Sequence, residues 1–229
     1  MKKLPTLLVS LLLSTSAGLA ANVASPVTPD QALQELKAGN ARYVAGKSAH
    51  PRIDAERRVA TATYGQTPHA SILGCADSRV PPEIVFDQPF ANLFVVRVAG
   101  NVAGVDETAS VEYSVLVLKV PLIVVLGHSK CGAVQATIDN KELPGSLPQL
   151  VSMIKPSVEV AQNEKKSGGE LLDNAIKQNV YHSMAELEKS PIIKEAIDAK
   201  KLKVIGAVRD IKDGHIVFLP EPKLAAVAK

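Results

Sequence analysis

The chain has no tryptophan and only four phenylalanines and four tyrosines in 229 residues. So sparse an aromatic complement argues against a stacking platform for single-stranded nucleic acid. Neither sign of charge is in marked excess: the net charge is +3, and Lys2 and Lys3 at the extreme N-terminus supply two of those charges. The basic doublets Arg57-Arg58, Lys165-Lys166 and Lys200-Lys201 are scattered among acids, as on a solvated surface and unlike a phosphate-binding stripe. Nucleic acid is therefore not an expected partner. A spanning helix needs an apolar run of ~20 residues, and the stretch 114–127 is broken by Lys119 and Pro121. Internal repeats and low-complexity tracts are missing too. Cysteine is scarce, with only Cys75 and Cys131.

Hydrophobic residues make up 46% of the chain and charged ones 21%, enough to bury a sizeable core in one domain. The first twenty residues read differently from the rest. Met1-Lys2-Lys3 is a positive start, residues 7–13 are a short apolar run, and Gly18-Leu19-Ala20 offers small residues at the spacing of a cleavage site. We read residues 1–20 as a signal peptide and 21–229 as a single domain, exported to the periplasm or secreted. No membrane association is expected once the signal is removed. In an oxidising compartment two cysteines are by default suspected of a disulfide.

The fold expected from the pattern is α/β, a mostly parallel central sheet flanked by helices, with an N-terminal helical arm and an edge strand near the C-terminus. Thr28-Pro29-Asp30-Gln31 is a capping box with proline at the first helical position, and predicts a helix over 28–38 stopped by Gly39. The runs 69–74, 93–98, 121–127 and 202–208 are rich in Val, Ile and Leu and bounded by Gly, Pro or charge, as buried parallel strands are. Between them 106–118 has helical spacing, and 147–200 reads as several helices with a joint at 165–169. Strands alternating with helices imply a parallel sheet covered by helices. Asp213-Gly214 predicts a turn into a last strand over 215–219.

Two loops each follow a predicted strand: Gly74-Cys75-Ala76-Asp77-Ser78-Arg79 and Gly127-His128-Ser129-Lys130-Cys131-Gly132. Ligands of an open parallel sheet bind beyond the carboxyl ends of strands, so the two loops can converge on one site. His128 and Cys131 are three residues apart at the start of a predicted helix and can share a face. A helix N-terminus also favours a thiolate, the form that binds metal. Cys75 would bring the ligands to two sulfurs and one imidazole, with a fourth position open as in a catalytic zinc site. The competing reading is a Cys75–Cys131 disulfide. A nucleophile elbow is contradicted by Cys131 where G-x-S-x-G needs glycine. A phosphate loop fails because Ala133-Val134 stand where Lys and Ser/Thr belong.

Cys75-Ala76-Asp77-Ser78-Arg79 and His128-Ser129-Lys130-Cys131-Gly132, with 52 residues between Cys75 and His128, resemble the two signatures of the β-class carbonic anhydrases. The resemblance runs from about residue 39 to 210. It takes in Arg79-Val80-Pro81-Pro82-Glu83, Phe94-Val95-Val96-Arg97-Val98-Ala99-Gly100-Asn101 and Ser110-Val111-Glu112-Tyr113. It implies one zinc per chain on Cys75, His128 and Cys131, a catalytic pair Asp77 and Arg79, and a homodimer or homotetramer. The implied reaction is reversible hydration of carbon dioxide to bicarbonate and a proton by zinc-bound hydroxide. Gln88 stands where many members carry a substrate-binding glutamine that reaches across the dimer interface. Tyr113 is a candidate to line the substrate's approach with Val80 and Phe94, and Gly100 and Gly132 to allow close backbone approach. A regulatory bicarbonate pocket that uses a Trp in some subtypes is not expected here.

The chemistry explains the residue types. Zinc lowers the pKa of a bound water, but two thiolates cancel the ion's charge and weaken that effect. Asp77 can accept the nucleophile's proton in a hydrogen bond and aim its lone pair. Arg79 can hold Asp77 in a bidentate fork and keep it ionised. If the fork breaks, Asp77 is itself a zinc ligand, and the resemblance implies such a closed state at low pH for some members. Candidate proton shuttles are His50, His69, His182 and His215. Two other functions fit the same residues: hydrolysis of carbonyl sulfide or carbon disulfide on this scaffold, or a non-catalytic domain stapled by the disulfide.

Overall fold

Five short runs rich in branched aliphatic residues form the sheet: β1 (Ala70–Gly74), β2 (Leu93–Arg97), β3 (Leu122–His128), β4 (Lys203–Arg209) and β5 (Ile216–Phe218). The computed structural model describes residues 27–49, 53–164 and 167–221. The signal peptide read over 1–20 and His50 lie outside the described residues. The strand order is β2-β1-β3-β4-β5, parallel except for β5, which pairs antiparallel with β4. β1 and β3 are buried at every position because helices cover both faces, and their sequences are accordingly apolar throughout. The chain steps from β1 out to β2, then back past β1 to β3 and on to β4. Strand order therefore reverses between β1 and β3, and the crevice at their carboxyl ends is the topological switch point.

Eight α-helices lie among the described residues: α1 (Pro29–Val44), α2 (Ala55–Tyr64), α3 (Pro82–Val85), α4 (Val105–Leu116), α5 (Gly132–Asp139), α6 (Leu147–Asn163), α7 (Gly168–Glu188) and α8 (Pro191–Asp198). Thr28 caps α1 through the expected box with Gln31. Contrary to expectation Gly39 does not end that helix. It is buried where α1 crosses the chain at Phe86, and a Cβ there would lie 1.8 Å from the Phe86 carbonyl oxygen. Asn40 continues the seam, donating to the carbonyls of Val85 and Gly214 and accepting from the Ile216 amide. α2, capped by Asp54, buries none of its residues among the described chain and was not expected from the sequence. The expected 147–200 helical tract resolves into α6, α7 and α8, and the turn at Asp213-Gly214 leads into β5 as read.

One face of the sheet packs Ile72, Val124 and Leu126 against Ala32 and Leu36 of α1. The other packs Leu73, Ile123 and Val125 against Val111 and Val115 of α4 and Val180 and Met184 of α7. A third cluster sits at the carboxyl end of the strands, where Cys75 and Cys131 meet Val134, Ile154, Val158 and Ile176. The two cysteines are thus part of a packed wall.

Candidate metal centre

Gly74 ends β1 in register with Leu126 of β3, so Cys75, one residue on, emerges beside the end of β3, where His128 is the last residue. The turn Ser129-Lys130, with Lys130 in a left-handed conformation (φ 56°), then sets Cys131 as the N-cap of α5. All three side chains are buried, and their ligand atoms lie within 4.8 Å of one another. Both cysteines are free.

His128 is oriented from behind. Its Nδ1 lies 2.9 Å from the Ser129 carbonyl oxygen. A carbonyl can only accept, so the proton is on Nδ1 and the lone pair on Nε2 faces the sulfurs, as in histidines that bind metal. Nε2 is buried with no hydrogen-bond partner. An orphaned acceptor beside two sulfurs is the environment a zinc ion satisfies, since two thiolates and an imidazole are ligands it prefers.

The Cys131 thiol donates to Cys75, which draws the Cys75 pKa down to about 4 against the opposing effect of burial; His128 and the backbone N–H groups of Asp77 and Gly100 assist. Those two amides lie 3.5 and 3.3 Å from the Cys75 sulfur. Cys131, as the donor and in the same buried setting, is pushed far up. Burial would lower His128, but the neighbouring Cys75 sulfur, the Ser129 carbonyl and Asp77 outweigh it and raise it above its ordinary value.

Asp77 sits in the loop after β1, with Oδ2 3.9 Å from His128 Nε2. Arg79 donates Nε to Oδ1 at 2.9 Å and Nη2 to Oδ2 at 2.6 Å, and its backbone N–H to Oδ1 at 2.9 Å. Those bonds from Arg79 hold the Asp77 carboxyl well below the usual carboxylate range.

Other residues of the sequence reading fall elsewhere. Gln88 is buried, but its amide donates to the Phe86 carbonyl at 2.9 Å. Tyr113 is half-exposed on α4, its ring 6.0 Å from that of Phe94. Val80 is seated in the core on the α1 face. No hydrogen bond among the described residues joins Gln88 or Tyr113 to Cys75, His128 or Cys131. Gly100 does permit a close approach: a Cβ there would lie 2.6 Å from Ile154 Cδ1, at a φ of 75°. At Gly132 a Cβ would meet nothing within 4 Å. It leaves open space beside Cys131. His69 precedes β1 whereas Cys75 follows it, so the two are at opposite ends of the strand. His182 and His215 face Glu186 and Asp213 at 3.8 and 3.3 Å.

Three supporting side chains went unassigned in the sequence. Arg97, at the end of β2, donates Nε to the Cys75 carbonyl at 2.9 Å and Nη2 to the Asp77 carbonyl at 2.6 Å. Arg209, at the end of β4, donates Nη1 to the Arg79 carbonyl at 3.0 Å. Asn179 of α7 donates to the Gly100 carbonyl at 2.7 Å. A charged residue closing an apolar run, as Arg97 and Arg209 both do, is the one local signal that pointed to them.

The fold and the site together define an α/β protein with a buried cluster of two cysteines and a histidine, able to hold a metal ion, at its switch point and flanked by an Asp–Arg pair. Comparison with known proteins narrows this class. A family profile described as Carbonic anhydrase matches residues 70–216. A carbonic anhydrase of Mycolicibacterium smegmatis is 42% identical over 193 residues, covering 82% of this chain and 92% of that protein. Carbonic anhydrase 2 of Mycobacterium tuberculosis is 41% identical over 195 residues, covering 83% and 92%. A crystal structure of a tetrameric β-carbonic anhydrase from Sordaria macrospora superposes with a TM-score of 0.68 at 28% identity, covering 83% of this chain and 97% of that one. The chain belongs to the β-class carbonic anhydrase family, and is an enzyme of that family. The family implies hydration of carbon dioxide, and its members are zinc enzymes.

Proposed function

We propose that the mature protein reversibly hydrates carbon dioxide to bicarbonate and a proton, with one zinc per chain on Cys75, His128 and Cys131. The observation that carries this is the buried trio, with ligand atoms within 4.8 Å of one another, set beside the Asp77–Arg79 fork. Zinc held there supplies Lewis acidity, which turns a water into a nucleophile near neutral pH. The Gly100 and Asp77 amides donate to the Cys75 sulfur and draw charge from it, countering the neutralising effect of two thiolates. Asp77 Oδ2, on the cluster's side of the fork, accepts a hydrogen bond and orients its donor, while Arg79 keeps it ionised.

Gln88 would serve substrate through a second copy of the chain, and Tyr113 would line its approach beside Phe94. Val59 and Tyr64 on α2, Phe90, and Val105 and Leu116 on α4 are exposed apolar side chains, a surface that a homodimer or homotetramer would cover. The segment 1–20 supports export to the periplasm or beyond. Among the described residues no helix is long and apolar enough to cross a membrane.

The test is zinc stoichiometry together with stopped-flow hydration of carbon dioxide on the mature protein. One zinc per chain with turnover supports the reading, and zinc without turnover overturns it. Carbonyl sulfide and carbon disulfide assayed side by side decide substrate, since the ligand set alone does not.

A further inference from the structure

Arg209 closes β4 in register with His128 of β3 and is 4% exposed. Its side chain reaches past β3 to the loop that follows β1. Nη1 donates to the Arg79 carbonyl at 3.0 Å and Nη2 to the Tyr43 hydroxyl at 3.2 Å, with the guanidinium 5.8 Å from the centre of the Tyr43 ring. Nε is buried without a partner. Among the described residues no carboxylate lies within ion-pair distance of Arg209. A cation buried on neutral acceptors alone is a costly arrangement. Its structural product is a rigid strut from α1, where Tyr43 sits, to the backbone of Arg79.

The strut bears on the pair that matters. Arg79 meets Asp77 through three donors, its own N–H, Nε and Nη2, all converging on one carboxylate. Such a convergence holds only while the Arg79 backbone keeps its place. Arg97 grips the same loop at the Cys75 and Asp77 carbonyls, from the β2 side. Arg209 supplies the grip at the far end.

We propose that Arg209 is a positioning residue for the Asp77–Arg79 pair, acting through the Arg79 carbonyl and anchored by Tyr43. Its effect on turnover rests on the function proposed above, whereas its effect on the loop does not. The strut acts through place and not through contact with substrate, so its removal lowers kcat and leaves KM nearly unchanged.

Arg209→Met removes the donors and the buried charge together and retains an apolar filling, which leaves the core able to fold. Two readouts apply to the purified protein. Hydrogen exchange at the Arg79 and Val80 amides, which bond to Asp77 Oδ1 and the Asp77 carbonyl, should quicken about tenfold or more, while Val124 and Val125 of β3 keep their protection. The kcat should fall at least about tenfold. In an Arg79→Ala background the same change should cost no further activity, because the fork it supports is already gone. Arg209→Lys, retaining one donor, should recover part of the loss. Tyr43→Phe, which deletes only the Nη2 acceptor, gives an intermediate effect and serves if Arg209→Met does not fold.

Unchanged exchange at Arg79 and Val80 overturns the proposal. So does exchange that quickens equally across β3, or a loss that persists in the Arg79→Ala background; either marks a general structural role. A wild-type protein that does not hydrate carbon dioxide overturns the function instead, and leaves the exchange comparison to decide the strut.

Discussion

Arg79 grips Asp77 with both prongs of its guanidinium, Nε on Oδ1 at 2.9 Å and Nη2 on Oδ2 at 2.6 Å. Planar two-point geometry of this kind orients a carboxylate as well as charging it, and a lysine cannot reproduce it. Asp77→Asn keeps the shape but places an amide where an ionised acceptor is needed. We expect it to lower kcat by about 10² or more with zinc content unchanged. Arg79→Lys should lose less, about tenfold, because a point charge keeps Asp77 ionised and gives up only its orientation. Stopped-flow hydration paired with metal analysis checks both, and near wild-type turnover in Asp77→Asn would refute the role of the pair.

Removal of a ligand should act on the metal before the rate. Cys75→Ser or Cys131→Ser replaces a thiolate with a hydroxyl that does not ionise near neutral pH, so bound zinc should drop from one per chain to a small fraction and activity with it. The same chemistry decides against a staple. The cysteines are free and both belong to the ligand cluster. Protein that is unfolded and treated with chelator should therefore titrate two thiols per chain. A count of none would mean the disulfide forms.

Zinc uptake should weaken as pH falls, and the raised groups set the sign. In the cluster the hydrogen bond from Cys131 draws the Cys75 pKa down. Cys131, pushed far up, holds the proton to be displaced, and His128, raised, adds a second as pH falls. Binding requires the thiolate and the neutral imidazole, so at least one proton leaves per zinc bound. Apparent affinity should then fall about tenfold per pH unit for each proton displaced. Chelator competition across pH measures the slope, and a flat profile would mean that the cluster is already fully deprotonated.

Much of this architecture could be read from residue order. β1 and β3 are covered on both faces, so continuous apolar runs are their physical signature, and the ligands follow directly from where those runs end. Thr28 and Gln31 marked the start of α1 for an equally local reason. What stayed hidden depends on contacts far apart in the chain. Gly39 looked like a helix stop because its reason for being glycine is the Phe86 backbone, 47 positions on. α2 buries no residue against the rest of the described chain, so the core gives no reason to expect it. Arg209 reaches Arg79 across 130 positions. A charge closing an apolar run marks Arg209 locally, but its acceptor is set by strand order.

Gly100 and Gly132 look alike in sequence, each beside a segment of the site, yet the structure predicts opposite costs for replacing them. Gly100 has a φ of 75°, and a Cβ there would lie 2.6 Å from Ile154 Cδ1 and 3.3 Å from Ala133 Cβ. Its N–H donates to the Cys75 sulfur and its carbonyl accepts from Asn179, so the backbone cannot move to relieve the clash without releasing both. Gly100→Ala should destabilise the protein by about 1–3 kcal/mol through strain and overpacking, and weaken zinc retention as the amide leaves the sulfur. Gly132 opens α5, and a Cβ there meets nothing within 4 Å. Gly132→Ala should shift stability by no more than about 0.5 kcal/mol. Any loss of turnover in it would then come from filling the open space beside Cys131. Urea unfolding of both variants, with equal m-values as the check on two-state behaviour, separates the cases. Equal losses in the two would show that Gly100 is not held as described.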